Sequence, residues 1–513
     1  MSNSANNKRI AKNTILLYIR MLLIMLVSLY TSRVVLNSLG IEDYGIYNVV
    51  GGVVAMFSVL SGSLSAAISR FITFELGRDN KDKLQYIFSS AIIIQISLAV
   101  VIIIIAETLG LWFLNEKIVI PLERISAANY VYQFSVLTFA LQLISVPYSA
   151  TIIAHERMSA FAYISILEVI GKLMVAFSIM ITPFDKLIHY SFLLMLISIS
   201  ICIVYRIYCK RKFEECRFHF YFDTVLLKQM FSFAGWNFIG ASSAVLRDQG
   251  GNILINLFAG PSVNAARGIS VQVSNAVQGF VSNFMTALNP QITKSYASGN
   301  NEYMITLICQ GARLSFYILL ILSLPIIINA KYILTLWLGL VPEHTVSFVQ
   351  LVLIFVMSES LAGPLVTAML ATGNIRNYQI LVGGLQMMNL PISYILLKLG
   401  CMPEVVLLVA IVISFISEMA RLYMLRSMIN LPVRFFLKKV YFNVVLVSVV
   451  AAIVPYYLHQ ILCTNFFSFI LICVICIICT LFSILFVGCC KQERLLIYSR
   501  ITKILNKLYT NHD

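Results

Sequence analysis

The chain has 513 residues, 60% of them apolar and only 12% charged, with a mean hydropathy of +0.89. That composition excludes an ordinary soluble protein. The net charge of +15 would suggest a nucleic-acid partner in a soluble chain, but here its placement argues against one. Apolar runs of about 20 residues, each able to cross roughly 30 Å of hydrocarbon, recur along the whole length. The expectation is an all-α polytopic membrane protein with about fourteen spans.

The first span, 14–38, carries Arg20 about one and a half turns in, roughly 9 Å from its start at 1.5 Å per residue. Arg20 interrupts any signal-peptide core and no small-residue cleavage site follows it, so this is an uncleaved span. A charge near the bilayer centre costs about 3 kcal/mol on insertion scales. It persists by facing a wet cavity, by pairing or by snorkelling, and from the depth of Arg20 snorkelling is strained. Arg33 lies near the outer end of the same span and Arg70 near the inner end of the second, 46–74. Both are as readily interfacial anchors as site residues.

Spans three to six cover 84–113, 126–153, 160–182 and 187–208. Pro147 in the fourth offers a bend. In the fifth, Glu168 and Lys172 stand at i, i+4 with the acid first, the favourable order for a self-neutralised pair; proton or ion coupling is the competing reading. The basic stretch "YRIYCKRKFEECRFHF", Tyr205 to Phe220, leads on to the seventh span, 229–259. That span holds the most polar stretch of any, Arg247 to Asn252 ("RDQGGN"). Its two glycines weaken a helix locally, and protein or water must shield it from lipid. Adjacent residues point about 100° apart, so Arg247 and Asp248 are expected in separate pairs, or facing a lumen where they hold a cation, bend or touch cargo.

Spans eight to fourteen cover 264–293, 303–329, 346–371, 378–399, 404–427, 438–460 and 465–489. Arg267 lies near the outer end of the eighth and Arg313 about ten residues into the ninth. Glu359, in the tenth, has no sequence-local partner and would complement an arginine or titrate if buried. Glu107 and Glu418 sit closer to span ends and are expected to be solvated. Pro364 and Pro391 are further candidate bends. Cys473, Cys476 and Cys479 occupy a continuous apolar helix without a loop or carboxylate, which makes them packing residues rather than metal ligands. No metal or cofactor is expected. The outer loops reach only about a dozen residues, too few for a catalytic domain, so an enzyme is not expected.

Roughly 20 of the 37 Lys and Arg fall on the side that holds both termini, against about 4 on the other, which makes both termini cytoplasmic. The chain also repeats itself. At an offset of 220, Gly40 falls on Gly260, Ala67 on Ala287, Ile72 and Thr73 on Ile292 and Thr293, and Asn80 on Asn300. At 217, Gln133 falls on Gln350, Pro147 on Pro364 and Ala154 on Ala371. An even number of spans between the copies gives parallel repeats with a site expected between them. The expected domains are 1–215 (spans one to six), 216–432 (seven to twelve) and 433–513 (two extra spans and a cytoplasmic tail).

Ser32 to Arg78 ("SRVVLNSLGIEDYGIYNVVGG…FITFELGR") resembles the opening spans of Wzx-type polysaccharide flippases of the multidrug/oligosaccharidyl-lipid/polysaccharide exporter superfamily. Ile255 to Gly299 resembles the matching pair of the second half. The step Leu39, Gly40, Tyr44, Gly45, Tyr47 is fairly specific to that group, and the resemblance covers essentially the whole chain. It implies a MATE-like fold in a bacterial inner membrane that flips a polyprenyl-pyrophosphate-linked oligosaccharide to the periplasmic leaflet by alternating access. The product would feed O-antigen, lipopolysaccharide or exopolysaccharide synthesis, with a polymerase and chain-length machinery as partners and membrane lipid around the protein. The guanidinium fork suits phosphate, so Arg20, Arg247 and Arg313 lead as cavity candidates, followed by Arg33, Arg70 and Arg267. Asp248, Glu168, Lys172 and Glu359 are candidates for coupling or charge balance. Relatives carry an Asp-Arg step where Gly251 and Asn252 stand, so an ion-coupling role is not transferred to Asp248. The alternatives are a cation-coupled multidrug exporter, a peptidoglycan-precursor (lipid II) flippase and a membrane glycosyltransferase or polymerase. The excess of arginine over acid argues against the first and the short outer loops against the last.

Overall fold

The computed structural model describes residues 3–55, 58–78, 81–116, 120–217, 224–338, 341–462, 465–490 and 493–495. Among these residues the structure is helical, with no strands. Ten helices are long and apolar enough to cross a membrane. Their ends fall within a few residues of the sequence expectation: Lys83–Glu116, Leu122–Ala154 and Met158–Ile181 near the start, Val433–Ile461 and Phe466–Gly488 near the end. The remaining four expected spans lie on three long helices. These are α1 (Asn3–Ala55), α2 (Ser58–Gly77) and α8 (Thr224–Ala297).

Two of these helices are interrupted once each, at the residues the repeat pairs. Gly40 in α1 has φ 80° and ψ 171°; Gly260 in α8 has φ 83° and ψ 176°. Only glycine occupies this region at acceptable cost. In each copy a single residue therefore joins two spans where a loop would ordinarily stand.

The chain forms two compact units. The first comprises Met1–Ser242, Thr286–Met304 and Thr367–Ile380. It contains α1, α2, α3 (Lys81–Ile105), α4 (Leu111–Glu116), α5 (Ile125–Ala154), α6 (Met158–Ile181) and α7 (Lys186–Lys212). A π-turn, Ala106–Gly110, joins α3 to α4. Helix α5 is the central element, packing on α7, α3 and α2, while α1 packs on α6. Apolar residues on these faces, among them Tyr132, Val131, Leu143 and Ala176, are almost completely buried. Asp185 caps α7, accepting from the amides of Leu187 at 3.0 Å and Ile188 at 3.1 Å. It also accepts from Arg124 at 2.6 Å, and Arg124 in turn pairs with Asp43. One guanidinium thus ties α1 to the starts of α5 and α7.

The second unit comprises Ser243–Met285, Ile305–Val366 and Leu381–Asp513. Its helices include most of α9 (Asn301–Ile328), α10 (Ala330–Leu338) and most of α11 (Thr345–Thr372). They continue with part of α12 (Arg376–Met387), then α13 (Asn389–Lys398) and α14 (Val405–Ile429). The chain closes on α15 (Val433–Phe436), α16 (Asn443–Ile461) and α17 (Phe466–Ser483). Of the three prolines read as bends, Pro391 stands just past a real break. The expected span 378–399 divides at Met388 into α12 and α13, because Pro391 offers no N–H to the residue four before it. Helices α5 and α11 run on through Pro147 and Pro364. Helix α8 likewise continues through Gly250 and Gly251, where a Cβ on Gly250 would meet Leu390 at 2.3 Å. That glycine is needed for close packing.

The Gly260 joint and the Asp185 cap are both open to test. Gly260→Ala should lower stability by about 1–3 kcal/mol, the cost of a strained backbone residue, read as a lower thermal midpoint in detergent. Burial pushes the Asp185 carboxyl up, but the Ile188 amide, Arg124 and the Leu187 amide outweigh it and leave the group below its usual value. A depressed folded value contributes stability above the unfolded value of about 3.9 and loses it as pH falls through the folded one. Thermal midpoints of the native protein should therefore fall below about pH 4 more steeply than those of Asp185→Asn.

Candidate functional site

In the first unit, α1, α5, α6 and α7 enclose a cavity of about 380 Å³ with a polar lining. Helix α5 contributes Gln142, Ser145, Val146 and Ser149, helix α6 Phe161, Ser165 and Glu168, and helix α7 Ser198, Ile201 and Tyr205. Each set follows a three- and four-residue spacing and so lines one helix face. Arg20 of α1 enters this ring of hydroxyls. Its guanidinium lies 4.6 Å from the Phe161 centroid, over the ring face, and its Nε has no hydrogen-bond partner among the described residues. Glu168 faces the same cavity while holding Lys172 at 2.6 Å. The i, i+4 pair therefore forms as the sequence order favours, and it also borders the arginine.

The serine and glutamine stripes were legible as polar residues recurring at helical spacing in apolar spans. Attention to the charged residues alone misses them.

In the second unit, Arg247 lies 4.9 Å from the Phe355 centroid and pairs with its neighbour Asp248 at 2.9 Å. The two therefore form one pair rather than the separate pairs that were the alternative to a lumen-facing stretch. The 100° between adjacent residues describes where side chains leave the helix, and the long arginine stem bends back across it. Arg247 is largely covered, while Asp248 is half exposed. Buried Arg267 donates to Ser270 at 3.1 Å and lies within electrostatic reach of both.

Arg313 and Arg70 have structural partners. Arg313 is buried against Glu493 at 2.7 Å and the Gly488 carbonyl at 2.8 Å. Tyr317, one turn on, bonds Asn443. These contacts fasten α9 to the last helices. Arg70 donates to the carbonyls of Leu370 at 3.3 Å and Ala371 at 3.0 Å, and aromatic rings from Phe71, Phe74 and Phe233 surround it. The side chain of Arg33 lies outside the described residues. Glu359 accepts from Ser414. Glu418 is a correction: expected near solvent, it is fully buried and accepts from Tyr441, because its face of α14 is turned inward onto the Leu437–Phe442 turn. Glu107 is exposed and bonded to Gln133 at 3.0 Å. Cys476 is buried among apolar neighbours.

An all-helical chain with ten helices long and apolar enough to cross a membrane among its described residues, and guanidinium groups inside its helices, is a polytopic membrane protein. The fold matches solved MATE transporter structures. One, described as the outward-facing conformation of a multidrug resistance MATE family transporter of the MOP superfamily, superposes with a TM-score of 0.72 at 14% identity. It covers 83% of this chain and 96% of that one. The MATE transporter ClbM in complex with Rb+ gives 0.67 at 16% identity, covering 84% and 98%. A MATE structure in the bent conformation gives 0.72 at 14%, covering 83% and 96%. No curated protein matches. The model of the polysaccharide biosynthesis protein family matches residues 10–296, more than half of the chain, and the chain belongs to that family.

The tie at the chain's end is directly testable. Arg313→Ala should cost about 3 kcal/mol, since it leaves Glu493 without its cation. The thermal midpoint should fall accordingly, with partial recovery in Arg313→Lys.

Proposed function

We propose that this protein flips a lipid-linked oligosaccharide, carried on a polyprenyl pyrophosphate, from the cytoplasmic to the periplasmic leaflet of a bacterial inner membrane. Movement is by alternating access of two six-helix lobes, 1–215 and 216–432, with 433–513 as an appended hairpin and cytoplasmic tail. The product serves cell-surface polysaccharide synthesis, O-antigen, lipopolysaccharide or exopolysaccharide, and a polymerase with its chain-length machinery receives it.

The Arg20 cavity carries this reading. A guanidinium lining a cavity among serine, glutamine and tyrosine groups with an aromatic face beside it suits a pyrophosphate followed by sugar hydroxyls. Arg247 and Arg267 add a second cationic locus in the other unit. Pyrophosphate crosses hydrocarbon only when shielded, and partly exposed arginines hold it without trapping it. Family membership and the transporter fold agree with this cargo.

One observation favours cation-coupled multidrug export instead: the half-buried Glu359 and the fully buried Glu418 in the second unit. The two readings separate in proteoliposomes. Arg20→Ala should slow glycolipid flipping by about 10- to 100-fold, the loss of one or two charge-assisted hydrogen bonds, with Arg247→Ala less affected because its nearest partner is Asp248. Native flipping rates in both variants would remove the cationic site. Drug efflux lost in Glu418→Gln, with no glycolipid flipping by the native protein, would establish the second reading.

A further inference from the structure

The first compact unit contains a cluster that the cargo cavity does not use. At the inner end of α5, the end that faces the chain start, Glu156 stands two residues past the last helical residue with φ 58°. Only a few per cent of non-glycine residues adopt such a conformation, and its strain has to be held by surrounding contacts. The contacts around this carboxylate are dense, although its side chain is only 2% exposed. Lys294 reaches Oε1 at 2.7 Å, the Gln291 amide reaches Oε2 at 2.6 Å, and Arg9 reaches the same oxygen at 3.2 Å. Asn13 donates to the backbone carbonyl at 3.4 Å. The partners come from α1 and from the far end of α8, more than 130 residues away in sequence. Leu17, Met158 and Ala287 pack together beside them as an apolar seal.

The repeat supplies the second half of the picture. At the offset of 217 that pairs Pro147 with Pro364, Glu156 falls on Gly373, which has φ 78°. The same left-handed residue therefore ends the fourth span of each half. In the second half it is glycine, and a Cβ there would lie 2.5 Å from the Arg70 guanidinium. That space lets Arg70 of α2 donate to two carbonyls in the last turn of α11. A third contact completes the closure: a Cβ on Gly77, the last residue of α2, would meet Ala297 at 2.7 Å and Lys294 at 2.8 Å.

We infer that Glu156 and Arg70 are the two jaws of a latch that holds the inner ends of the two sequence halves together and parts when cargo is admitted from that side. One jaw presents a carboxylate from the first half, steadied by Arg9 of that same half, to the Lys294 ammonium and the Gln291 amide of the second. The other presents a guanidinium from the first half to helix-end carbonyls of the second. The strained conformation is retained at Glu156 because a glycine there has no carboxylate to offer. A latch of this kind holds firmly yet releases, because each of its hydrogen bonds can be exchanged for water once the apolar seal opens.

The inference rests on alternating access but not on the identity of the cargo, so it is tested without cargo. Hydrogen exchange of the purified full-length protein is followed by mass spectrometry in Glu156→Gln, which keeps the shape, and in Glu156→Gly, which also relieves the backbone. Exchange should rise about tenfold across residues 286–297 and 366–372 in both variants, while 125–139 in the outer part of α5 stays at the native rate. The doubly substituted Glu156→Lys, Lys294→Glu protein should recover much of the protection. Native exchange at 286–297 in both single variants overturns the latch. So does an equal rise at 125–139, which would make Glu156 a general fold residue. A faithful latch alongside absent glycolipid flipping would leave the gate in place and reject only the cargo.

Discussion

A guanidinium in an apolar helix must be met by something other than hydrocarbon, and the helices of this chain are arranged to satisfy that requirement. The group cannot shed its charge, and its five donors point in a fixed plane. Four arginines inside spans meet it in four ways. Arg313 takes a distant carboxylate and a helix-end carbonyl. Arg70 takes two helix-end carbonyls within a wall of aromatic rings. Arg247 folds onto its neighbouring acid. Arg20 has a ring of uncharged hydroxyls and an aromatic face. The same chemical constraint thus produces firmly partnered groups in three places and a receptive cavity in the fourth.

The duplication explains where such solutions are available. Gly40 and Gly260 share a backbone conformation, and Glu156 and Gly373 both have positive φ, so the two copies offer joints at the same places. Their side chains then diverge. The position that stays glycine in one copy carries an acid in the other, and the two copies become donor and acceptor of contacts instead of identical halves. Parallel repeats of this kind preserve orientation while permitting different chemistry in each copy.

Span existence and most span ends were readable because lipid leaves the backbone no alternative to a continuous helix. Long apolar runs bounded by polar turns therefore map almost directly onto α3 to α7 and α9 to α17. The one-residue joints were visible as paired glycines, though not as breaks in otherwise continuous helices. The site was less legible, and the reason is distance. Arg70 and Ala371 are 301 residues apart and Arg313 and Glu493 are 180 apart, so no spacing rule predicts either pair. The burial of Glu418 depends on which neighbour covers its face of α14, here the turn that carries Tyr441, and the Arg247–Asp248 pair on a long, flexible side chain about which a rule on Cβ directions says little. Glu168 and Lys172 were read correctly as a pair, since i, i+4 contacts are fixed by the helix itself.

The single-residue joints at Gly40 and Gly260 have a practical corollary for mapping this protein in the cell. Where two helices meet through one glycine, no exposed loop exists to accept a protease, an epitope tag or a fused reporter, and an insertion would have to unwind a helix to be seen. Topology probes placed there should report disrupted protein rather than a side of the membrane, whereas the true loops between α10 and α11 or between α16 and α17 can accept them. Reporter maps that skip both joints will therefore count two turns fewer than the chain makes.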